Sequence, residues 1–163
     1  NGRVYPKDIL MREAKKYSDT FIKEKRALGE LDHPDSSVVN LQNVSHNVTG
    51  MKWDGDDLVG TVEVLTTPSG NILKELFKAG IKLGISSRGL GSVETIKFEG
   101  TEANKVGDDF ELIAFDFVSN PSTQGAFLHP VNESIDKSRR QLGESCDKWC
   151  KVEYTLRDII GGK

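Results

Sequence analysis

The stretch at residues 110–119 constrains the fold most, because it is mostly apolar and has one acid, Asp116, inside its apolar run. From Leu112 to Val118, every residue except Asp116 is apolar. Such a run of aromatic and aliphatic residues predicts a buried strand. A carboxylate there loses its hydration, so it either takes up a proton or has a hydrogen-bonding partner. We therefore predict that another part of the chain contacts Asp116.

A second strand is predicted around residues 83–92, which read Leu-Gly-Ile-Ser-Ser-Arg-Gly-Leu-Gly-Ser. Strand side chains alternate between two faces, so Ser86 and Arg88 share one face while Ile85 points to the core. Gly84 adds almost no bulk to the face of Ser86, which is predicted to be open. The hydroxyl is then placed to attack a substrate. Because serine is common on exposed strands, a surface strand without chemistry is the competing interpretation.

Periodicity and turn residues predict the other elements of an α+β fold. Helices are expected at residues 5–25 and 71–79, the second ended by Gly80 in a left-handed conformation. The further strands, the first with a bulge midway, are 38–53, 58–65 and 93–98. The polar stretch at 99–109 is interpreted as a connection to the apolar strand.

Composition and length indicate one main domain. The chain has 163 residues, enough for a substantial core, and a net charge of −3 with acids and bases mixed. This balance predicts neither a nucleic-acid nor a membrane partner, and no apolar run approaches the roughly 20 residues of a membrane helix. Cys146 and Cys150 have no second pair and no nearby histidine, so they are interpreted as free thiols. We expect no metal and no cofactor.

The chain becomes polar beyond residue 122. We therefore expect a main domain at 1–125 and a polar C-terminal region at 126–163. Residues 133–148 are interpreted as linker-like, and residues 151–160 as a terminal helix.

Three groups fit the chemistry of a serine nucleophile: His33, Ser86 and Asp116. A serine hydroxyl needs a base to take its proton, and a buried acid can hold that base in the right tautomer. His46 and His129 are competing candidates for the base, and both are interpreted as surface residues. The chain order and the absence of a Gly-x-Ser-x-Gly elbow do not fit an α/β-hydrolase.

Four segments carry a resemblance to a known family. They are Asn-Gly-Arg-Val-Tyr-Pro at 1–6, Leu-Gly-Glu-Leu-Asp-His-Pro at 28–34, Ile-Ser-Ser-Arg-Gly-Leu-Gly-Ser at 85–92 and the stretch at 116–122. Together they resemble the prohead core protein proteases of T-even-like tailed bacteriophages, which are related in fold to the herpesvirus assemblins. The likeness runs from residue 1 to about residue 122.

The resemblance implies a fold and a set of site residues. The fold would be a small, mostly antiparallel β-barrel flanked by helices, with a first strand that precedes Asn1. His33 would be the general base, Ser86 the nucleophile and Asp116 the group that orients the base. The paired arginines of the assemblin oxyanion hole have no counterpart after Asp116, so we expect backbone amides at Ser119 and Asn120, with Arg88 nearby, to replace them.

The implied activity is a serine endopeptidase that cuts phage scaffold and major capsid proteins after glutamate, with an aliphatic residue two positions earlier. Arg88 or a nearby lysine could receive that glutamate. The protease would act inside the prohead, in the cytoplasm of the infected bacterium, and would self-associate there.

The chain also contains sites of the cleaved type. Of four candidates, the bond between Glu144 and Ser145 is the expected site of self-cleavage, because it lies in a polar, glycine-containing stretch outside the predicted core. Glu24 and Glu75 lie in predicted helices, and Glu30 lies in the segment that positions the histidine.

Two other functions remain open from the sequence. A non-catalytic capsid or scaffold domain of the same fold would keep Ser86 and His33 in a polar cleft, with Asp116 pointing away from the histidine. A β-rich module that binds an unrelated partner would make the resemblance accidental.

Overall fold

The computed structural model describes residues 2–121 and two later strands, and the fold is mixed α and β. Two α-helices, α1 (Lys7–Tyr17) and α2 (Pro68–Lys78), lie in these residues, and a π-helical turn (Ser18–Ile22) follows α1. The strands are β1 (Arg3–Val4), β2 (Leu28–Glu30), β3 (Val44–Asp54), β4 (Asp57–Val64), β5 (Gly84–Leu90), β6 (Val93–Phe98), β7 (Thr101–Val106), β8 (Glu111–Val118), β9 (Leu128–Pro130) and β10 (Lys151–Arg157). Within this part of the chain, every helix is too short or too polar to cross a membrane.

The strands form three sheets. Their orders are β1-β7-β6, β2-β3-β4-β10-β9 and the antiparallel pair β5-β8. Leu31, just after β2, forms a parallel bridge with Phe117 of β8, and the amide of Asp32 donates to the Phe117 carbonyl at 2.7 Å. The end of β2 therefore joins the five-stranded sheet to the β5-β8 pair, and this junction positions the site described below.

Both helices pack one apolar face on the sheets. The ring of Tyr17 in α1 meets the ring of Phe115 edge-on, with centroids 5.4 Å apart. In α2, Thr67 caps the first turn by accepting from the Gly70 amide at 3.1 Å, and Gly80 has the predicted left-handed conformation, with φ of 77°. The largest fully buried apolar side chains are Val48, Val62, Leu73, Ile85, Phe115, Phe117 and Tyr17. Each contributes about 1.5–3 kcal/mol by leaving water.

Three predictions about these elements are wrong. The polar stretch at 99–109 contains β7, whose exposed side chains hide the strand pattern. The strand predicted to begin at residue 38 begins at Val44, although its bulge is present between Val48 and Gly50. The predicted terminal helix is instead β10, which pairs along its whole length with β4. Its residues Lys-Val-Glu-Tyr-Thr-Leu-Arg alternate polar and apolar, which is the period of a strand.

Candidate active site

Ser86 and Asp116 lie directly opposite each other in the antiparallel pair β5-β8. Directly opposite residues point to the same face of a sheet, with Cβ atoms about 4.5–5.5 Å apart. The side chain of Ser86 is therefore placed beside the carboxylate of Asp116. The apolar run that contains Asp116 forms β8, and the strand around Ser86 forms β5, as the sequence predicted.

Asp116 has the predicted hydrogen-bonding partners. Its Oδ1 accepts from the backbone amide of Glu30 at 3.0 Å and from Arg88 Nη2 at 3.2 Å. Its Oδ2 lies 3.0 Å from Nδ1 of His33, and Arg88 Nε lies 2.9 Å from the same oxygen without the N–H direction of a hydrogen bond. The buried carboxylate thus meets β2, β5 and the segment that carries the histidine.

The junction at β2 positions His33. Asp32 has a left-handed backbone, with φ of 70°, which aspartate tolerates better than most residues, and its side chain accepts from the His33 amide at 2.9 Å. Toward an ionised Asp116, His33 Nδ1 is the donor of this contact, and its Nε2 is then left as the acceptor of a hydroxyl proton. The His33 side chain is 41% exposed and is reached by solvent.

No hydrogen bond joins Ser86 Oγ to the His33 ring within the part of the chain that the structure describes. Catalytic hydrogen bonds are often long without substrate and tighten when it binds. The structure thus brings His33 onto Asp116 and Ser86 beside Asp116, which is one connected cluster. In the chain, Ser86 comes 53 residues after His33, and Asp116 comes 30 residues after Ser86.

The prediction that Ser86 lies on an open face is wrong. Ser86 is only 8% exposed and Arg88 5%, because neighbouring segments cover this side of β5. The ring of Pro121 lies over Gly84, where an added Cβ would stand 2.3 Å from it. Arg88 is held by Glu30 Oε2 at 2.7 Å and by the carbonyl of Ser36 at 2.8 Å. The guanidinium is therefore already paired and does not lie free beside Ser86.

Burial and neighbouring charges act in opposite directions on Asp116. Burial raises the pKa of Asp116, and the nearby carboxylate of Glu30 adds to the rise. The Glu30 amide, Arg88 and His33 lower it. Burial is the main reason that the pKa of Tyr17 is raised, so the phenol stays neutral. The charge of Asp116 adds to this rise, and the charge of Arg88 opposes it.

The interpretation of His46 as a surface residue is wrong. His46 is fully buried: Nδ1 lies 2.8 Å from Ser45 Oγ and Nε2 lies 2.8 Å from the carbonyl of Phe115. Burial lowers the pKa of His46 to about 4, partly offset by the Phe115 hydrogen bond, so the ring is neutral near pH 7. Gly29 makes this approach possible, since a Cβ there would stand 2.1 Å from the Phe115 carbonyl oxygen.

The remaining predicted residues lie near the end of the continuously described stretch or beyond it. Ser119 and Asn120 are exposed at the end of β8, next to the Pro121 that covers Gly84. The backbone at His129 lies in β9, paired with that at Glu153. Glu144, Ser145, Cys146 and Cys150 lie outside the described residues. Among the described ones, no group of three His, Cys, Asp or Glu side chains could hold a metal ion.

Sequence reasoning missed Glu30, Tyr17 and His46 as neighbours of the site. Glu30 stands three residues before His33 in a segment that the resemblance already singled out. A buried arginine requires a carboxylate partner, so a correct assignment of Arg88 as buried would have pointed to Glu30. No comparable signal marks His46, whose sequence neighbours are polar.

The fold is similar to that of a phage capsid assembly protease. A solved structure of the capsid assembly protease of bacteriophage T4 matches with a TM-score of 0.67 and 33% identity, over 74% of this chain and 74% of that one. The prohead core protein protease of Enterobacteria phage T4 is 36% identical over 150 residues, which cover 90% of this chain and 69% of that protein.

The sequence model of the family described as prohead core protein serine protease matches residues 1–136. The chain therefore belongs to the prohead core protein serine protease family, and the resemblance seen in the sequence is confirmed.

Proposed function

We propose that this chain is a serine endopeptidase that cleaves scaffold and capsid proteins during prohead maturation. The observation that carries the proposal is the 3.0 Å contact between His33 Nδ1 and Asp116 Oδ2, with Ser86 directly opposite Asp116. The family relationship supports the same reaction class. The protease would act inside the prohead in the infected host and would associate with copies of itself there.

In this mechanism, Ser86 Oγ attacks the carbonyl carbon of the substrate and His33 Nε2 takes its proton. The tetrahedral intermediate collapses, the C–N bond breaks, and the imidazolium gives the proton to the leaving amine. Water then attacks the acyl-enzyme, again losing a proton to His33, and the serine is regenerated. Asp116 keeps the Nδ1–H tautomer and stabilises the imidazolium in both steps.

The oxyanion in this mechanism requires hydrogen-bond donors that Arg88 does not supply, because its guanidinium is already bound to Glu30, Asp116 and Ser36. We assign this role to backbone amides at Ser119 and Asn120. Their position directly after Val118, which pairs with Gly84, supports the assignment. The glutamate before the cleaved bond would then pair with a nearby lysine instead of Arg88.

We also propose that the sheets curve into an incomplete barrel of the assemblin type. Two features support this: the Leu31 bridge joins the end of β2 to β8, and β10 contacts β5.

Labelling with a fluorophosphonate tests the nucleophile. Attack by Ser86 displaces fluoride and leaves one phosphonyl group, located by peptide mass mapping. We expect label on Ser86 in the wild type, and none in Ser86→Ala or His33→Ala. Absence of label in folded wild-type protein would favour a non-catalytic capsid or scaffold domain.

Self-cleavage between Glu144 and Ser145 is a separate prediction. Fragment masses of incubated wild-type protein should place the cut there, and Glu144→Gln should stay intact at that bond while Glu75→Gln, in α2, should be cut normally. Cutting that persists in Glu144→Gln would mean that another bond is used.

A further inference from the structure

One buried carboxylate near the site has no part in the mechanism described above. Glu30 is fully buried, and its Oε2 accepts from Arg88 Nη2 at 2.7 Å. Its other oxygen has no hydrogen-bond partner within the described residues. A buried ion pair stabilises a fold little more than apolar side chains of the same volume, because both charges lose their hydration. Stability alone therefore does not account for the pair of Glu30 and Arg88.

The charges of the cluster do not balance. Arg88 contacts two carboxylates, those of Glu30 and Asp116, and both contacts are buried. With Glu30 absent, Arg88 and Asp116 would form a neutral pair, and the negative charge of Asp116 would be largely cancelled at the His33 ring. With Glu30 present, the three groups carry one net negative charge, and a proton on His33 neutralises it.

We propose that Glu30 is a positioning residue that cancels the charge of Arg88 and so keeps the negative charge of Asp116 available to the imidazolium of His33. The inference rests on the proposed function. Its chemical consequence is that His33 becomes a stronger base when it accepts the proton of Ser86.

The geometry around His33 supports this role. Asp116 from β8 contacts the ring directly, while Arg88 from β5 and Glu30 from β2 lie behind Asp116. Tyr17 from α1 is neutral. The other charged groups near the ring in sequence, Asp32 and Asp35, are exposed, so water screens them.

The backbone of Glu30 and the side chain of Arg88 also hold the segment that carries His33. The Glu30 amide donates to Asp116 at 3.0 Å on one side of His33 in the chain. Arg88 Nη1 donates to the carbonyl of Ser36 at 2.8 Å on the other side. One end of the short segment that contains His33 is thereby bound to Asp116 and the other end to Arg88, and these two buried side chains bind each other.

The test is the pH dependence of fluorophosphonate labelling at Ser86. The rate falls in acid when His33 is protonated, and the midpoint of that fall reports the strength of the base. In Glu30→Gln the cluster has no net charge, so we expect the midpoint to move down by about one pH unit, which is the order of magnitude that Coulomb's law gives for a unit charge at about 10 Å with an effective dielectric of about 20. The rate at its plateau should fall about threefold, because a weaker base transfers the proton less readily.

Two further variants separate charge from structure. Adding Arg88→Met to Glu30→Gln removes both charges of the pair and restores one net negative charge, so the midpoint should return to the wild-type value. Glu13→Gln is the matched control: Glu13 is also a buried glutamate that binds an arginine and a backbone amide of β8, but at the far end of that strand. Its midpoint should equal that of the wild type.

An unchanged midpoint in Glu30→Gln would overturn the inference, and so would a double variant that keeps the shifted midpoint of the single one. Circular dichroism shows whether the double variant folds. If it does not fold, the pair serves stability, and the inference is overturned as well. If the wild type itself takes no label, the proposed function fails first. A labelled wild type with an unshifted Glu30→Gln refutes only the role of Glu30.

Discussion

The two faces of β8 each receive one histidine, and the two histidines are in opposite chemical situations. On one face, His33 is half exposed and contacts the carboxylate of Asp116. On the other, His46 is fully buried beside the ring of Phe117, and both of its nitrogens meet neutral oxygens, the Ser45 hydroxyl and the Phe115 carbonyl. A charged partner and access to water let a histidine accept a proton, whereas burial beside a neutral oxygen prevents it. The surroundings, set by neighbouring residues of one strand, therefore decide which histidine can act as a base.

Removing either member of the proposed nucleophile and base pair tests the exposed face most severely. Ser86→Ala and His33→Ala should each lower kcat/KM for a scaffold-derived peptide by about 10⁵-fold or more, since the two groups act as one unit. Ser87→Ala, on the opposite face of β5, is the control and should retain activity. An active Ser86→Ala beside an inactive Ser87→Ala would reverse the assignment of the faces.

Neutralising the acid on that face should have the next largest effect. Asp116→Asn removes the charge that orients His33 and presents an amide donor to its ring, which favours the wrong tautomer. We expect kcat to fall about 10³- to 10⁴-fold, while the melting temperature shows whether loss of the partner of Arg88 destabilises the fold. Full activity in Asp116→Asn would mean that something else orients the base.

On the buried face, His46 should make the protein sensitive to acid. The unfolded chain takes up a proton on this ring near pH 6.5 and the folded chain only near pH 4, so its contribution is complete above pH 6.5 and is lost as the pH falls towards 4. The loss should reach about 3 kcal/mol in the free energy of unfolding. In His46→Gln, urea denaturation between pH 7 and 4 should show a correspondingly smaller loss. An equal loss in both proteins would contradict the neutral, buried state of His46.

The smallest expected effect comes from the close approach at Gly29, which lets His46 reach β8. In Gly29→Ala the added Cβ would meet the Phe115 carbonyl oxygen and the His46 ring, so β2 must shift, at a cost of about 2 kcal/mol in unfolding free energy. Gly50→Ala is the matched control. Gly50 lies in the neighbouring strand β3, and a Cβ there would meet nothing within 4 Å. Equal stability of the two variants would show that the approach at Gly29 is not tight.

Part of this arrangement could be predicted from the sequence, because some of its features are set within a single strand. The apolar run around Asp116 predicted both a buried strand and a partner for its acid, because a lone carboxylate there is costly whatever the fold. Alternation along β5 placed Ser86 and Arg88 on one face correctly. What covers that face depends on Pro121, Ser36 and Glu30, which come from distant segments.

Misreadings elsewhere had the same origin. The polar neighbours of His46 suggested a surface position, but only the close packing of β2 on β8 shows that the ring is enclosed. The sequence of β7 predicts a connection because a strand exposed on most of its residues loses the apolar alternation by which strands are recognised.

The junction between β2 and β8 also sets when activity can first arise during synthesis. Translation produces the segment with His33 first, then β5 with Ser86, and β8 only later. Until β8 emerges and pairs with β5, a nascent chain has neither the carboxylate that holds the imidazole nor the backbone of Phe117 that anchors the preceding turn. On the proposed mechanism, a nascent chain that ends before β8 would be proteolytically silent, and a truncated product of failed translation would pose no hazard to the proteins around it.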